Sequence, residues 1–149
     1  MGIEPNFDID AIFKSVKEKV NVIAIGVQEA MIKTCLEVAN NAKQLNTYID
    51  RTNNLRSSIG YIIYDKGEKI AEHFSADGAG AEGSGSQGTT KGKQAAEKAA
   101  NDFPNDLVGV IVAGEDYALY VESKGYDVLS GPFLEAYPIL EKNLRLIFD

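Results

Sequence analysis

The sequence predicts an α+β domain in which a long N-terminal helix packs on a small, mostly antiparallel sheet and a helix closes the C-terminus. Three observations carry this prediction. Apolar residues recur at helical spacing from Ile9 to Leu45, two short alternating stretches flank a turn at Asp65-Lys66-Gly67, and helical spacing returns after Gly131-Pro132. A chain of 149 residues with 44% hydrophobic side chains has single-domain size and can bury a core, so residues 1–149 are read as one domain.

Pro5 and Asn6 disfavour helix in the leading residues, and Asp8 or Asp10 can cap the helix that begins beside them. In the helical run, Ile9, Ile12, Phe13, Val16, Val20, Ile23, Val27, Ala30, Met31, Thr34, Val38 and Leu45 step mostly by threes and fours, with no proline between them. A helix of this length extends roughly 50 Å at ~1.5 Å per residue, more than a domain of this size is wide. One end must therefore project or the helix must bend, and Gly26 is the candidate bend. Ile25, Ile32, Leu36 and Ala39 broaden the stripe around Gly26, so that half is expected to be contacted on two sides, one of them a candidate surface for another subunit.

At Asp50-Arg-Thr-Asn-Asn-Leu-Arg-Ser-Ser-Ile59 the helical pattern stops, a short turn intervenes and a strand begins. Thr52 or Asp50 can cap a helix of a turn or two, whose Leu55 and Ile59 face one core, with Arg56 paired at its edge. Ile59 to Tyr64 and Glu68 to Phe74 then form a β-hairpin. Ser75 to Gly92 is glycine-rich and has no side chain larger than Gln, Glu or Lys, which reads as a flexible loop. Lys93 to Phe103 reads as a short alanine-rich helix ended by Pro104 and Asn105. The unbroken apolar run Leu107 to Ala113 reads as the central strand of the sheet, buried on both faces. After a turn at Gly114-Glu115-Asp116, Tyr117 to Glu122 reads as a helix or tight turn. A last helix runs to about Phe148, with Phe133, Leu134, Ile139, Leu140, Leu144 and Ile147 as its apolar face and a kink at Pro138.

Composition argues against several function classes. Twenty-two acidic against 15 basic side chains give a net charge of −7, the wrong sign for gripping nucleic acid through its phosphates. The single cysteine, Cys35, has no partner for an intramolecular disulfide, so a reducing compartment and a small buried hydrophobe are expected. No segment reaches the ~18 apolar residues of a membrane span and no signal peptide is recognisable, so a soluble, unsecreted protein is expected. Gly83-x-Gly85-x-x-Gly88 matches the dinucleotide fingerprint literally, and this is the basis of a rival reading as a small α+β cofactor-binding or hydrolytic enzyme. The match lacks the context that gives the motif its chemistry, a glycine turn directly after a strand of a parallel βαβ unit. His73 and Cys35 lie on different elements, so neither a zinc site nor a Cys–His pair is supported by the spacing. Glu115, Asp116 and Glu122 read as caps and solvated charges more readily than as a catalytic carboxylate pair. No catalytic residue, cofactor or metal is predicted.

Three segments instead resemble one known family. Thr52-x-x-Leu55-Arg56-x-Ser58-Ile59, Tyr117-Ala-x-Tyr120-Val-Glu122 running into Lys124-Gly125-Tyr126-Asp127, and Gly131-Pro132-Phe133-Leu134 with Ala136 are similar, in the same order, to motifs of the head-to-tail joining, or tail-completion, proteins of long-tailed bacteriophages. The resemblance spans roughly residue 23 to the C-terminus and implies a virion structural protein rather than an enzyme. It further implies a homo-oligomeric ring, six- or twelve-fold, assembled in the host cytoplasm. That ring would sit at the neck between the portal-adaptor and stopper proteins and the tail tube, and DNA would pass through it without specific binding. Thr52, Leu55, Arg56, Ser58, Tyr117, Tyr120, Glu122, Pro132 and Phe133 are the motif positions and, on this resemblance, the candidates for assembly contacts. Asn53 departs from the family, which usually has glycine there, but asparagine tolerates a left-handed backbone. A channel that lets DNA slide should be lined with like charge, and Asp65, Glu68, Asp77 and Glu82 are the leading lumen candidates, with Glu115 and Asp116 behind them.

Overall fold

In a computed structural model of the chain, residues 2, 8–76 and 80–149 are described. Helix α1 (Ile9–Lys43) runs unbroken for 35 residues and starts at Asp8, whose carboxylate accepts from the Asp10 and Ala11 N–H groups. Its two halves differ. Residues 9–25 are exposed on every side, and burial begins at Gly26 and continues through Ala30, Thr34, Cys35, Val38, Ala39 and Ala42. The long helix therefore satisfies its length by projecting an arm about 25 Å long. Gly26, expected as a bend, serves instead as the place where the chain's far end comes down: a β-carbon there would meet the Phe148 ring at 2.6 Å.

Short helix α2 (Asn54–Ser57) leads into the antiparallel strands β1 (Ile59–Asp65) and β2 (Glu68–Phe74), then helix α3 (Ser86–Ala100) and strand β3 (Leu107–Ala113). Helices α4 (Ala118–Ser123), α5 (Ser130–Leu134) and α6 (Ala136–Phe148) complete the order. The expected α+β class holds, and the sheet is wholly antiparallel in the order β2-β1-β3. Lys66 and Gly67, both at positive φ (50° and 82°), make the two-residue hairpin turn. Beyond it Ile70 is the extra residue of a bulge opposite Ile63 and Tyr64.

The central strand is β1, not the apolar run of β3. Ile59, Ile62 and Ile63 are fully buried, whereas every residue of β3 is only half-buried. An unbroken apolar run reports cover on both faces, and β3 has that cover, from α1 on one face and α3 on the other. It does not report a neighbour on both edges. The outer edge of β2 carries Glu68, Lys69, Glu72 and His73, charges and polar groups that discourage strand pairing; β3 carries none. On the α1 face, Ile59, Tyr61 and Ile63 join Cys35, Ala39, Ala42, Leu55, Ala118 and Val128 in one cluster. The expected burial of Leu55 and Ile59 against the first helix is thus observed, and Cys35 is a buried thiol pushed up to about 12 by desolvation.

Two further expectations are corrected. Helix α3 begins at Ser86, inside the stretch read as loop, because its glycines are used for close approach rather than freedom. Gly88 stands directly against the Asn54 carbonyl and Gly92 against that of Ser58, distances no β-carbon tolerates. The last helix is broken at Glu135, not kinked at Pro138, which lies in the first turn of α6 where its missing N–H costs nothing. Its inward face is Ile139 and Asn143, whose amide donates to the Thr34 hydroxyl (3.1 Å), flanked by the half-buried Leu140, Leu144 and Ile147 expected there, while Phe133 and Leu134 turn to solvent.

Candidate assembly surface

The three motif segments, far apart in sequence, form one connected unit. Its centre is Ser58, fully buried, whose hydroxyl donates to the Leu55 carbonyl (2.7 Å) and accepts from the Glu115 N–H (3.2 Å). The Ser58 carbonyl accepts from Gly114. The corner after α1 is thereby fastened to the turn that launches α4. Asp50, proposed with Thr52 as a cap, accepts from the Arg56 N–H at 2.8 Å; the Thr52 hydroxyl accepts from the Asn54 N–H at a longer 3.4 Å. Arg56 donates to the Leu45 carbonyl (2.7 Å) and lies over the Tyr48 ring, which is the edge pairing expected of it.

Glu122 carries the connection onward. Its Oε1 accepts from the N–H groups of Val128, Leu129 and Ser130, and its Oε2 from the Ser130 hydroxyl (2.7 Å). Burial pushes this carboxyl up, but the four donors outweigh it and hold the group below its ordinary range. With Asp127 accepting from Gly131 (2.9 Å), Glu122 caps α5 and sets Pro132 inward and Phe133 outward. Lys91 bridges Glu115 (3.0 Å) and Asp116 (2.9 Å), and the hydrogen bonds to Asp116 and then Glu115 raise it to about 12. These acids are structural ties.

The left-handed position expected at Asn53 is observed, at φ 64°. Its side chain adds what glycine could not: the amide donates to the Gly80 and Gly83 carbonyls (2.9 and 2.6 Å) and accepts from the Gly80 N–H (2.7 Å). The fingerprint-like glycines are engaged in the same way. Gly83 faces the Thr52 carbonyl, Gly85 takes φ 76° as the residue before α3, and the Gly88 N–H donates to Asn54 Oδ1. The first turn of α3 is thus spent on the chain's own corner. Among the described residues, no group of three or more His, Cys, Asp and Glu is placed to hold a metal ion, and no helix is long and apolar enough to cross a membrane.

Of the lumen candidates, Glu68 is exposed at the hairpin tip and Glu82 is exposed before α3, whereas Asp65 is half-buried and accepts from Gln28 of α1 (2.7 Å). Asp77 lies outside the described residues.

Two apolar surfaces stand out, and the sequence anticipates each only in part, through a projecting end of the long helix and through the motif positions Tyr120 and Phe133. One is the arm, where Ile9, Ile12, Phe13, Val16, Val20 and Ile23 form an exposed stripe, Phe13 being 68% accessible. The other lies over α4 and α5, where Leu119 and Leu134 are 77% and 78% accessible and Tyr120, Phe133 and Tyr137 stand beside them. Below it is a groove of about 370 Å³ lined by Ile111, Ala118, Leu119, Val128, Leu129 and Phe133. The arm's periodicity is visible in the sequence, but periodicity gives the side that is apolar and not the molecule that covers it. Comparisons with the models of known families, with curated proteins and with solved structures find no match for this chain.

Proposed function

We propose that this chain is a structural building block that assembles with copies of itself, in the role its motifs imply: a ring at the head–tail neck of a long-tailed phage, between the portal-adaptor and stopper proteins and the tail tube, through which DNA passes. The observation that carries this reading is the arm. Residues 9–25 present a continuous apolar stripe that nothing among the described residues covers, and a stripe of that length is the mark of a surface covered by another molecule. The unit formed by the three motif segments adds support, because it rigidifies the body from which the arm projects. Light scattering after size exclusion, with negative-stain microscopy of the full chain, tests it. A closed ring of defined mass is the expected result, and a monomer at micromolar concentration overturns the proposal. Antibody labelling of virions at the neck tests the location.

A further inference from the structure

Resting on that self-assembly, we infer that the arm of one copy seats in the α4–α5 groove of the next, so that the subunits join head to tail. The arm cannot fill its own groove: α1 is one continuous helix, and residues 9–25 are exposed throughout. The two surfaces are complementary in shape class, a helical stripe of large apolar side chains and an apolar groove with an apolar rim. They are also complementary in charge. In a chain of net charge −7, residues 9–25 are net positive, with Lys14, Lys17 and Lys19 against Asp10 and Glu18. Residues 115–135 are net negative, with Glu115, Asp116, Glu122, Asp127 and Glu135 against Lys124 alone. The excess of acid around the groove persists after Lys91, which bridges Glu115 and Asp116, is counted, so opposite charge favours the arm's lysines on the groove and like charge disfavours groove on groove.

The groove's polar chemistry argues the same occupant. Glu122, its one ionisable lining residue, already takes four hydrogen bonds from the chain. It has little capacity left to orient a small polar ligand, so what the groove offers an occupant is apolar contact, as for a helix laid in a groove. A contact between two different patches is heterologous, and heterologous contacts close into a ring where the rotation between neighbours allows it and run on as an open filament where it does not.

Complementation of two variants tests this. F13D with V16D disables the arm, and L119D disables the groove at a side chain too exposed to matter for folding; L119E and L134E are second groove variants, and circular dichroism checks that each is folded. Each should raise the concentration needed for assembly by roughly tenfold or more, the equivalent of ~1.4 kcal/mol per contact. Mixed in equal amounts, the two should give a discrete heterodimer, one sound arm in one sound groove, with both ends blocked. A folded groove variant that assembles like the wild type shows that the arm seats elsewhere than in the groove, which overturns this inference and leaves self-assembly standing. A wild-type monomer overturns both.

Discussion

Asn53 and Gly80 are bonded in both directions, the asparagine amide donating to the glycine carbonyl at 2.9 Å and its oxygen accepting from the glycine N–H at 2.7 Å. A side chain thus does for this glycine what a strand partner would do. Replacing Asn53 with glycine keeps the φ of 64° but strands these groups, and should cost about 1–3 kcal/mol. Alanine should cost about 1 kcal/mol more, since it adds a left-handed strain that glycine avoids. Urea midpoints in the order wild type, N53G, N53A check this; equal midpoints for the first two would show the bonds to be worthless.

Gly88 gives the reverse of a propensity argument. Alanine in a helix is favoured over glycine by about 1 kcal/mol. At Gly88, however, the added methyl group would collide with the Asn54 carbonyl. G88A should therefore destabilise the protein, as measured by thermal unfolding, and a raised melting temperature would contradict the packing of α3 on the corner.

Truncating Leu55, 2% accessible in the core beside Ile59, should cost ~2–4 kcal/mol by chemical denaturation. An unchanged midpoint would mean that the corner does not pack against α1.

Glu122 should make stability pH-dependent. Its carboxyl is held below the ordinary value in the folded state, so the unfolded chain binds the proton more readily. The stabilisation is complete above the ordinary carboxylate range and is lost as pH falls through the folded value. E122Q should be less stable than the wild type at neutral pH, with the difference shrinking on acidification. A gap that stays constant with pH would assign the loss to shape rather than charge.

The legible parts of the fold are those with a period or a turn chemistry of their own: the long helix, the hairpin at Lys66-Gly67, and the Leu55–Ile59 corner. The parts that escape depend on partners distant in sequence. Ser75 to Gly92 reads as mobile because small residues cannot build a core, but small residues also let two backbones touch, and composition does not distinguish the two. Leu107 to Ala113 reads as central because its faces are apolar, while edge or centre is decided by hydrogen bonds that β3 makes to β1 alone among the strands. The motif residues Ser58 and Glu122 are visible, but not Glu115 N–H or Ser130 as their partners, since these are backbone and loop groups with no signature. For the same reason Phe133 and Leu134 read as part of an inward face that the break at Glu135 turns outward.

The seat of Cys35 has a consequence for how the molecule can be watched. It is the chain's one cysteine, 3% accessible on the sheet-facing side of α1, with Gly109 of β3 so close that a β-carbon there would stand 2.8 Å from the sulfur. A thiol raised to about 12 and shielded in this way is inert while the helix lies on the sheet. Every molecule alkylated by an added reagent is then one in which α1 has lifted from β3, so the labelling rate is a clock for that opening. Engaging the arm on a neighbour should slow the clock without touching the thiol.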